Sequence, residues 1–170
     1  NAIDWKYQID ETVVPLNSIV FADDNKGWAV GGNYYNYNGA SPDIIYHTEN
    51  GGLNWYEQLD ISGKGIYDIQ SLNDSLCYAV SGSGVYKTFD GGLNWEYTEI
   101  NYSVLLSSIS FANDTTGFIA GSYNQIFKTI NGGESWEYIN TNFGTIYFQS
   151  IYFIDENKGW ASGYSTTPLY

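Results

Sequence analysis

The phrases TENGGLNW at 48–55, TFDGGLNW at 88–95 and TINGGESW at 129–136 are three copies of one short text, and they make this chain a tandem array. Trp55 and Trp95 stand 40 residues apart and Trp95 and Trp136 stand 41 apart, a period that belongs to propellers and solenoids rather than to a single irregular domain. A second set of equivalent positions precedes the phrases: Ile19 and Trp28, Ile69 and Tyr78, Ile109 and Phe118, and Ile151 and Trp160 are each nine residues apart. Four units are therefore present. They run approximately over 17–59, 67–100, 107–140 and 147–170, with residues 1–9 reading as a further fourth strand because Trp5 aligns with Trp55, Trp95 and Trp136.

Within a unit, short runs of Ile, Val, Phe, Tyr and Trp are broken by Gly, Asn and Asp, the composition of strands joined by tight turns. The third unit predicts strands at 107–111, 117–122, 125–129 and 134–140, a four-stranded antiparallel meander, and no segment asks for a helix. One meander of this size leaves two apolar faces and must stack on its neighbours, which at about 40 residues per unit means the blades of a β-propeller. The chain enters at a fourth strand and stops in a third. The leading expectation is a segment of a larger propeller, because the GG-x-x-W phrase that should come next is the best-kept element of the other units; the alternatives are a four-bladed ring clasped by the N-terminal strand and a ring completed by a second chain.

The repeated phrase has a local physical logic. Thr48, Thr88 and Thr129 end a strand, Asn50, Asp90 and Asn131 open the turn, and glycines that include Gly52, Gly92 and Gly133 come next, before Trp55, Trp95 and Trp136 open strand 4. Asn and Asp side chains accept from backbone amides two residues on, glycine tolerates positive φ, and the indole anchors the next strand between blades. This text resembles the Asp-box, or bacterial neuraminidase repeat, with pattern Ser/Thr-x-Asp-x-Gly-x-Thr/Ser-Trp. With GWAVGG and GWASGY in front, it is similar to propeller repeats of the photosystem II assembly-factor type, which also occur in secreted bacterial proteins. Asn50 and Asn131 in place of Asp, Asn54 and Asn94 in place of Thr/Ser, and the Ser71 and Cys77 of the second unit depart from the pattern. The resemblance implies that the phrase is a structural turn on the face opposite the ligand site.

Composition narrows the function. Six lysines, no arginine and nineteen acids give a net charge of −13, which repels phosphate backbones and argues against a nucleic-acid partner. Sialidases that share the repeat hold a substrate carboxylate through arginines, and this chain has none to offer. No apolar run approaches a membrane span and the opening residues NAIDWKYQID lack a leader's pattern. A single cysteine, Cys77, allows no internal disulfide, and it reads as a small buried residue. His47 lacks a second histidine, so neither a metal nor another cofactor is expected. The family kinship and the Asn, Tyr and Ser richness lean toward an extracellular or cell-surface bacterial protein.

A ligand face is expected where strand 2–3 connections meet the links from strand 4 to the next strand 1. The first unit carries an insertion there, NYYNYNGASP at 33–42, whose Tyr34, Tyr35 and Tyr37 interleave with Asn36 and Asn38. Such a loop suits stacking on a protein or glycan, and it equally suits covering an edge. Lys64, Tyr102, Tyr123, Asn124 and Phe143 belong to the same face. Asp43, Asp60 and Asp68 lie near it, and two of them would serve a glycosidase, whereas Asp23, Asp24, Asp155 and Glu156 fall in turns of the other face. The leading expectation is a noncatalytic propeller binding protein or glycan. The alternatives are a fragment of an Asp-box glycoside hydrolase resembling xyloglucanases, and a purely structural repeat segment.

Overall fold

The computed structural model describes residues 14–32, 42–62, 65–100, 105–141 and 144–166. Fourteen strands succeed one another among them, and no helix. The first blade consists of β1 (Leu16–Phe21), β2 (Gly27–Gly31), β3 (Pro42–Thr48) and β4 (Tyr56–Ser62). The second consists of β5 (Ile66–Ser71), β6 (Cys77–Ser81), β7 (Gly84–Thr88) and β8 (Glu96–Glu99). The third has β9 (Leu106–Phe111), β10 (Gly117–Gly121), β11 (Ile126–Thr129) and β12 (Glu137–Ile139), and a fourth unit contributes the hairpin β13 (Ile146–Asp155) and β14 (Lys158–Ser165). Each blade is an antiparallel meander in sequence order. The last strand of the third blade is shorter than the predicted 134–140, because Ser135 N–H still donates to Asn131 Oδ1 (3.1 Å) and holds that stretch in the turn. For the same reason Trp55, Trp95 and Trp136 stand one residue ahead of β4, β8 and β12.

The strands fan about an axis. First strands lie side by side, β1 beside β5, β5 beside β9 and β9 beside β13, yet each belongs to a separate sheet. Every first strand is interrupted at the same place by a register shift, between Leu16 and Ser18, Ile66 and Asp68, Leu106 and Ser108, and Phe148 and Ser150. An irregularity of this kind increases local twist, which a strand running along a propeller axis requires.

Apolar layers between blades form the core. Trp28, Ile45, Ile66, Ile69 and Cys77 fill the first interface, Tyr78, Val85, Leu106, Ile109 and Phe111 the second, and Phe118, Phe148 and Ile151 the third. In the latter two, an equivalent phenylalanine near the end of the first strand stacks on an aromatic of the preceding blade: Phe111 on Tyr78 (3.8 Å between centroids) and Phe153 on Phe118 (3.6 Å). Burial of side chains this large stabilises each interface by roughly 1.5–3 kcal/mol per residue. His47 belongs to this packing. It stacks on Trp28 at 4.9 Å, and burial is the main cause that lowers its basicity below the ordinary imidazole range.

Candidate functional site

Two hydrogen-bond patterns fix the two faces of the fan. On one, Gly51, Gly91 and Gly132 N–H of the glycine turns donate to Asn25, Ser75 and Thr115 carbonyls of the strand 1–2 turns of their own blades. Those strand 1–2 turns are themselves capped by Asp23, Asn73, Asn113 and Asp155, whose side-chain oxygens accept from amides two or three residues on. Two backbone amides hold the Asp23 carboxyl below its ordinary range, the Lys26 amide contributing most. On the other face Gly32, Gly82 and Ser122 N–H donate to Pro15, Gly65 and Leu105 carbonyls, bringing the strand 2–3 connections to the entrances of the first strands.

The repeated phrase is a hydrogen-bonded cage. Thr48, Thr88 and Thr129 are buried, and each Oγ1 accepts from the amide four residues on, at Gly52 (2.9 Å), Gly92 (2.8 Å) and Gly133 (2.9 Å). The same hydroxyls donate to Asn50, Asp90 and Asn131 Oδ1, which in turn accept from the amides of Asn54, Asn94 and Ser135. The paired glycines all have positive φ, from 66° to 92°. The turns also receive side chains from the preceding blade: Gln58 donates to the Gly91 carbonyl, and Tyr78 and Lys87 donate to that of Gly132. Trp95 and Trp136 pack against the first and second interface layers, and Trp55 meets Phe21 edge to face at 6.0 Å.

Two of the acids near the ligand face are interior anchors. Asp43 is buried and accepts from Gly65 N–H (2.6 Å) and Tyr86 OH (2.9 Å), joining the first blade to the second. Tyr86 is pushed far above the ordinary phenol range, first by burial and then by that carboxylate. Asp68 reaches three first strands: Oδ1 accepts from Ser18 Oγ (3.0 Å) and Ile69 N–H (2.9 Å), and Oδ2 from Ser108 Oγ (2.8 Å) and Ile109 N–H (3.1 Å). Asp60 lies exposed on β4. These three do not form an open pair of carboxylates. Tyr34, Tyr35, Tyr37, Asn36, Asn38, Lys64, Tyr102 and Phe143 lie outside the described residues, as does the segment 1–9.

Tyr123 and Asn124 are inside them, and they build the most unusual feature of the face. Both have left-handed backbone, φ 59° and 65°, and they are the non-glycine residues with positive φ among those described. Asn adopts this region readily and Tyr seldom does, at a cost of about 1–3 kcal/mol for such strained positions. Two hydrogen bonds to the fourth unit enforce the conformation, Asn124 N–H to the Ile146 carbonyl (2.8 Å) and Ile146 N–H to Asn124 Oδ1 (2.6 Å). The Tyr123 ring is thereby held outward, 57% exposed. It meets Tyr147 at 5.0 Å, and Tyr147 stacks on Tyr164 at 5.2 Å with planes 9° apart. Hydrogen bonding with Tyr123 raises the Tyr147 phenol above its ordinary value. Sequence reading found Tyr123 and Asn124 and missed Tyr147 and Tyr164. A signal existed: in repeat register Tyr147 replaces Pro15, Gly65 and Leu105, and Tyr164 replaces Gly32, Gly82 and Ser122.

Residues 93–169 match the family model for Photosynthesis system II assembly factor YCF48. No curated protein matches the chain. Among solved structures it is similar to YCF48 bound to D1 peptide, with TM-score 0.66 and 18% identity over 85% of this chain and 47% of that one. It is also similar to YCF48 from Cyanidioschyzon merolae, with TM-score 0.64 and 20% identity over 84% and 41%. An ancestral GH74 enzyme gives TM-score 0.67 and 17% identity over 82% and 22%. The chain thus spans less than half the length of each of these structures, and at such identities the likeness is one of fold. In fold and in the chemistry of its glycine turns the chain is similar to β-propellers of the Asp-box, or bacterial neuraminidase repeat, type, and the family match covers its residues 93–169.

Proposed function

We propose that this chain is a noncatalytic interaction module that binds a polypeptide segment across the connection face of the third and fourth units. The observation that carries the reading is the run Tyr123, Tyr147 and Tyr164, its outer rings Tyr123 and Tyr164 exposed and Tyr147 half-buried between them, at a place where the backbone of Tyr123 is held in a strained conformation. Strain of this kind persists where the surroundings over-determine it, and it clusters at binding sites. Tyrosine combines a rigid apolar ring with a hydroxyl at small entropic cost, the property that enriches it in protein-binding surfaces. A similarly folded chain, YCF48, has been solved with a D1 peptide bound, which supports a peptide as the class of ligand. The net charge of −13 favours basic segments, with association that weakens as salt rises.

A glycan reading has less support. Tyr147 and Tyr164 direct a ring face at each other, leaving edges and hydroxyls rather than one broad platform for a sugar ring. The hydrolase alternative draws on the GH74 likeness, yet Asp43 and Asp68 are engaged in inter-blade hydrogen bonds. The test is a screen of immobilised short peptides beside xyloglucan and β-glucan oligosaccharides. A selected peptide set should lose affinity about tenfold or more, roughly 1.4 kcal/mol, on Tyr123→Ala or Tyr164→Ala. Peptide binding unchanged in both variants, or retention of oligosaccharides alone, would overturn the reading.

A further inference from the structure

Each glycine turn carries two side chains that its hydrogen bonds do not use, one just after the buried threonine and one just after the second glycine. They are Glu49 and Leu53 in the first turn, Phe89 and Leu93 in the second, and Ile130 and Glu134 in the third. Glutamate at one position in the first turn and at the other in the third shows that the turn folds with a charged side chain at either. Yet Phe89, Leu93 and Ile130 are 57%, 82% and 74% exposed. They belong to the second and third blades, which have neighbours on both sides, so further blades in the ring would leave them uncovered. The three are also grouped. Lys87 Nζ lies 4.0 Å over the Phe89 ring and donates to the Gly132 carbonyl (2.6 Å) of the third turn, two residues beyond Ile130. Leu93 stands across the second turn from Phe89, beside Gly92, whose amide closes that turn on Thr88 (2.8 Å). Apolar side chains grouped in water, where the fold accepts a charge instead, mark an interaction surface.

We propose that this turn face of the second and third blades docks a basic amphipathic helix of a partner protein. Its apolar stripe would cover Phe89, Leu93 and Ile130, and its Lys or Arg residues would meet the acids around them. Charge identifies the partner. Asp90, Asp114 and Glu134 are exposed in the same turns. The Asp114 carbonyl lies 3.0 Å from where a Cβ on Gly132 would stand, which puts Asp114 at the junction of the two blades. The lysines on the described parts of these blades are engaged elsewhere: Lys87 with the Gly132 carbonyl and the rings of Tyr78 and Phe89, Lys128 over the ring of Phe118. An apolar patch with a negative rim attracts a cationic segment and repels anionic lipid headgroups. Backbone chemistry favours a helix over a strand. Gly91 and Gly132 N–H donate within their own blades, and their carbonyls accept from Gln58, Tyr78 and Lys87, so these turns offer an incoming strand no open ladder. A helix satisfies its own backbone and binds through one face of side chains. The inference is independent of the peptide-binding reading, since Tyr123 lies on the opposite face.

Calorimetric titration of the chain with a synthetic amphipathic helix of leucine and lysine tests it. The same residues in scrambled order, a leucine and glutamate counterpart, and vesicles of anionic phospholipid serve as comparison probes. The leucine and lysine helix should bind, more weakly as salt rises, and the other probes should not. Leu93→Gln combined with Ile130→Gln should weaken it about tenfold or more. Circular dichroism should stay unchanged, because sibling turns hold glutamate at the same positions. Asp114→Asn combined with Glu134→Gln should lower the affinity and flatten its salt dependence. Tyr123→Ala should leave helix binding intact, which separates this face from the other. No binding of the helix, equal binding of the scrambled probe, attachment to the vesicles, full affinity in the Leu93→Gln and Ile130→Gln variant, or loss of affinity in Tyr123→Ala would each overturn the proposal. Sedimentation of the chain alone addresses another occupant: a dimer that the Leu93→Gln and Ile130→Gln variant loses would assign the face to a second copy and overturn it as well.

Discussion

One threonine hydroxyl organises each glycine turn. Thr88 Oγ1 donates to Asp90 Oδ1 (2.8 Å) and accepts from Gly92 N–H (2.8 Å), so a buried polar atom is satisfied by its own turn. The residue two positions on has only to supply an oxygen, and Asn50 and Asn131 supply it as well as Asp90 does. Asp90 adds a second oxygen, which accepts from Asn94 Nδ2 (2.7 Å). That bond, with those from the Asn94 amide and Thr88, pulls the carboxyl down to about 2. Because the folded value lies below the unfolded one, the contribution to stability is present above about pH 4 and is lost as pH falls toward 2. Asp90→Asn should therefore lower the melting temperature modestly at neutral pH, since Asn94 can turn its amide and offer oxygen but the neutral pair lacks the charge. The gap in melting temperature between parent and variant should close between pH 4 and pH 2. A gap that stays constant over that range would show that the charge of Asp90 takes no part.

At the scale of the strand pair, the second unit solves a packing problem differently from the others. Gly27, Gly117 and Gly159 each lie opposite Phe21, Phe111 and Phe153, and a Cβ on any of these glycines would sit 2.5–2.7 Å from the ring. In the second unit the pair is Ser71 opposite Cys77, a transfer of volume from one strand to the other. Trp28 of the first blade, larger than Tyr78 or Phe118, fills the space a phenylalanine would take. Burial pushes the Cys77 thiol up to about 12, so the residue behaves as packing rather than as a nucleophile. Ser71→Phe alone should overpack this interface at a cost of about 2 kcal/mol, and Cys77→Gly alone should cost about 1–2 kcal/mol. Combined, they restore the pairing of the sibling units, and the double variant should be more stable than the sum by about 1 kcal/mol. Denaturant titration of the four proteins measures this, and additivity would mean that the two positions do not share volume.

The same pairing shows how far the text of the chain could be read. Strand order and turns were legible because glycine, Asn, Asp and Thr act on their immediate neighbours, and the period exposed the stacking. The exchange at Ser71 and Cys77 looked like mere irregularity, since its compensation comes from Trp28, about 45 residues earlier in the chain. Tyr147 and Tyr164 escaped for a related reason. In strands already rich in aromatics, only alignment against Gly65 and Gly82 marks them as misplaced for packing, and only three-dimensional register brings them beside Tyr123.

Across the whole molecule, cohesion rests on contacts between first strands that share no sheet hydrogen bonds. Gln70 reaches across with both ends of its amide to the Phe111 backbone, and Ser110 Oγ accepts from Phe153 N–H (2.9 Å). Asp68 is the strongest of these links because its two oxygens receive four donors from β1, β5 and β9. In the other units the equivalent positions are Ser18, Ser108 and Ser150, and Ser108 bridges β9 to β13 with one hydroxyl. This sets an order among substitutions that hydropathy would not give. Asp68→Asn keeps one acceptor oxygen and turns an NH2 group toward a backbone amide that can only donate, leaving that half-buried pair opposed at a cost of about 1–3 kcal/mol. Asp68→Ser repeats the arrangement of its siblings and leaves room for its neighbours to relax toward it. Thermal unfolding should therefore rank the parent first, Asp68→Ser second and Asp68→Asn last, despite asparagine's closer shape. If asparagine proves the milder change, the inner strands are held by apolar packing alone and the carboxylate is incidental to the assembly of the fan.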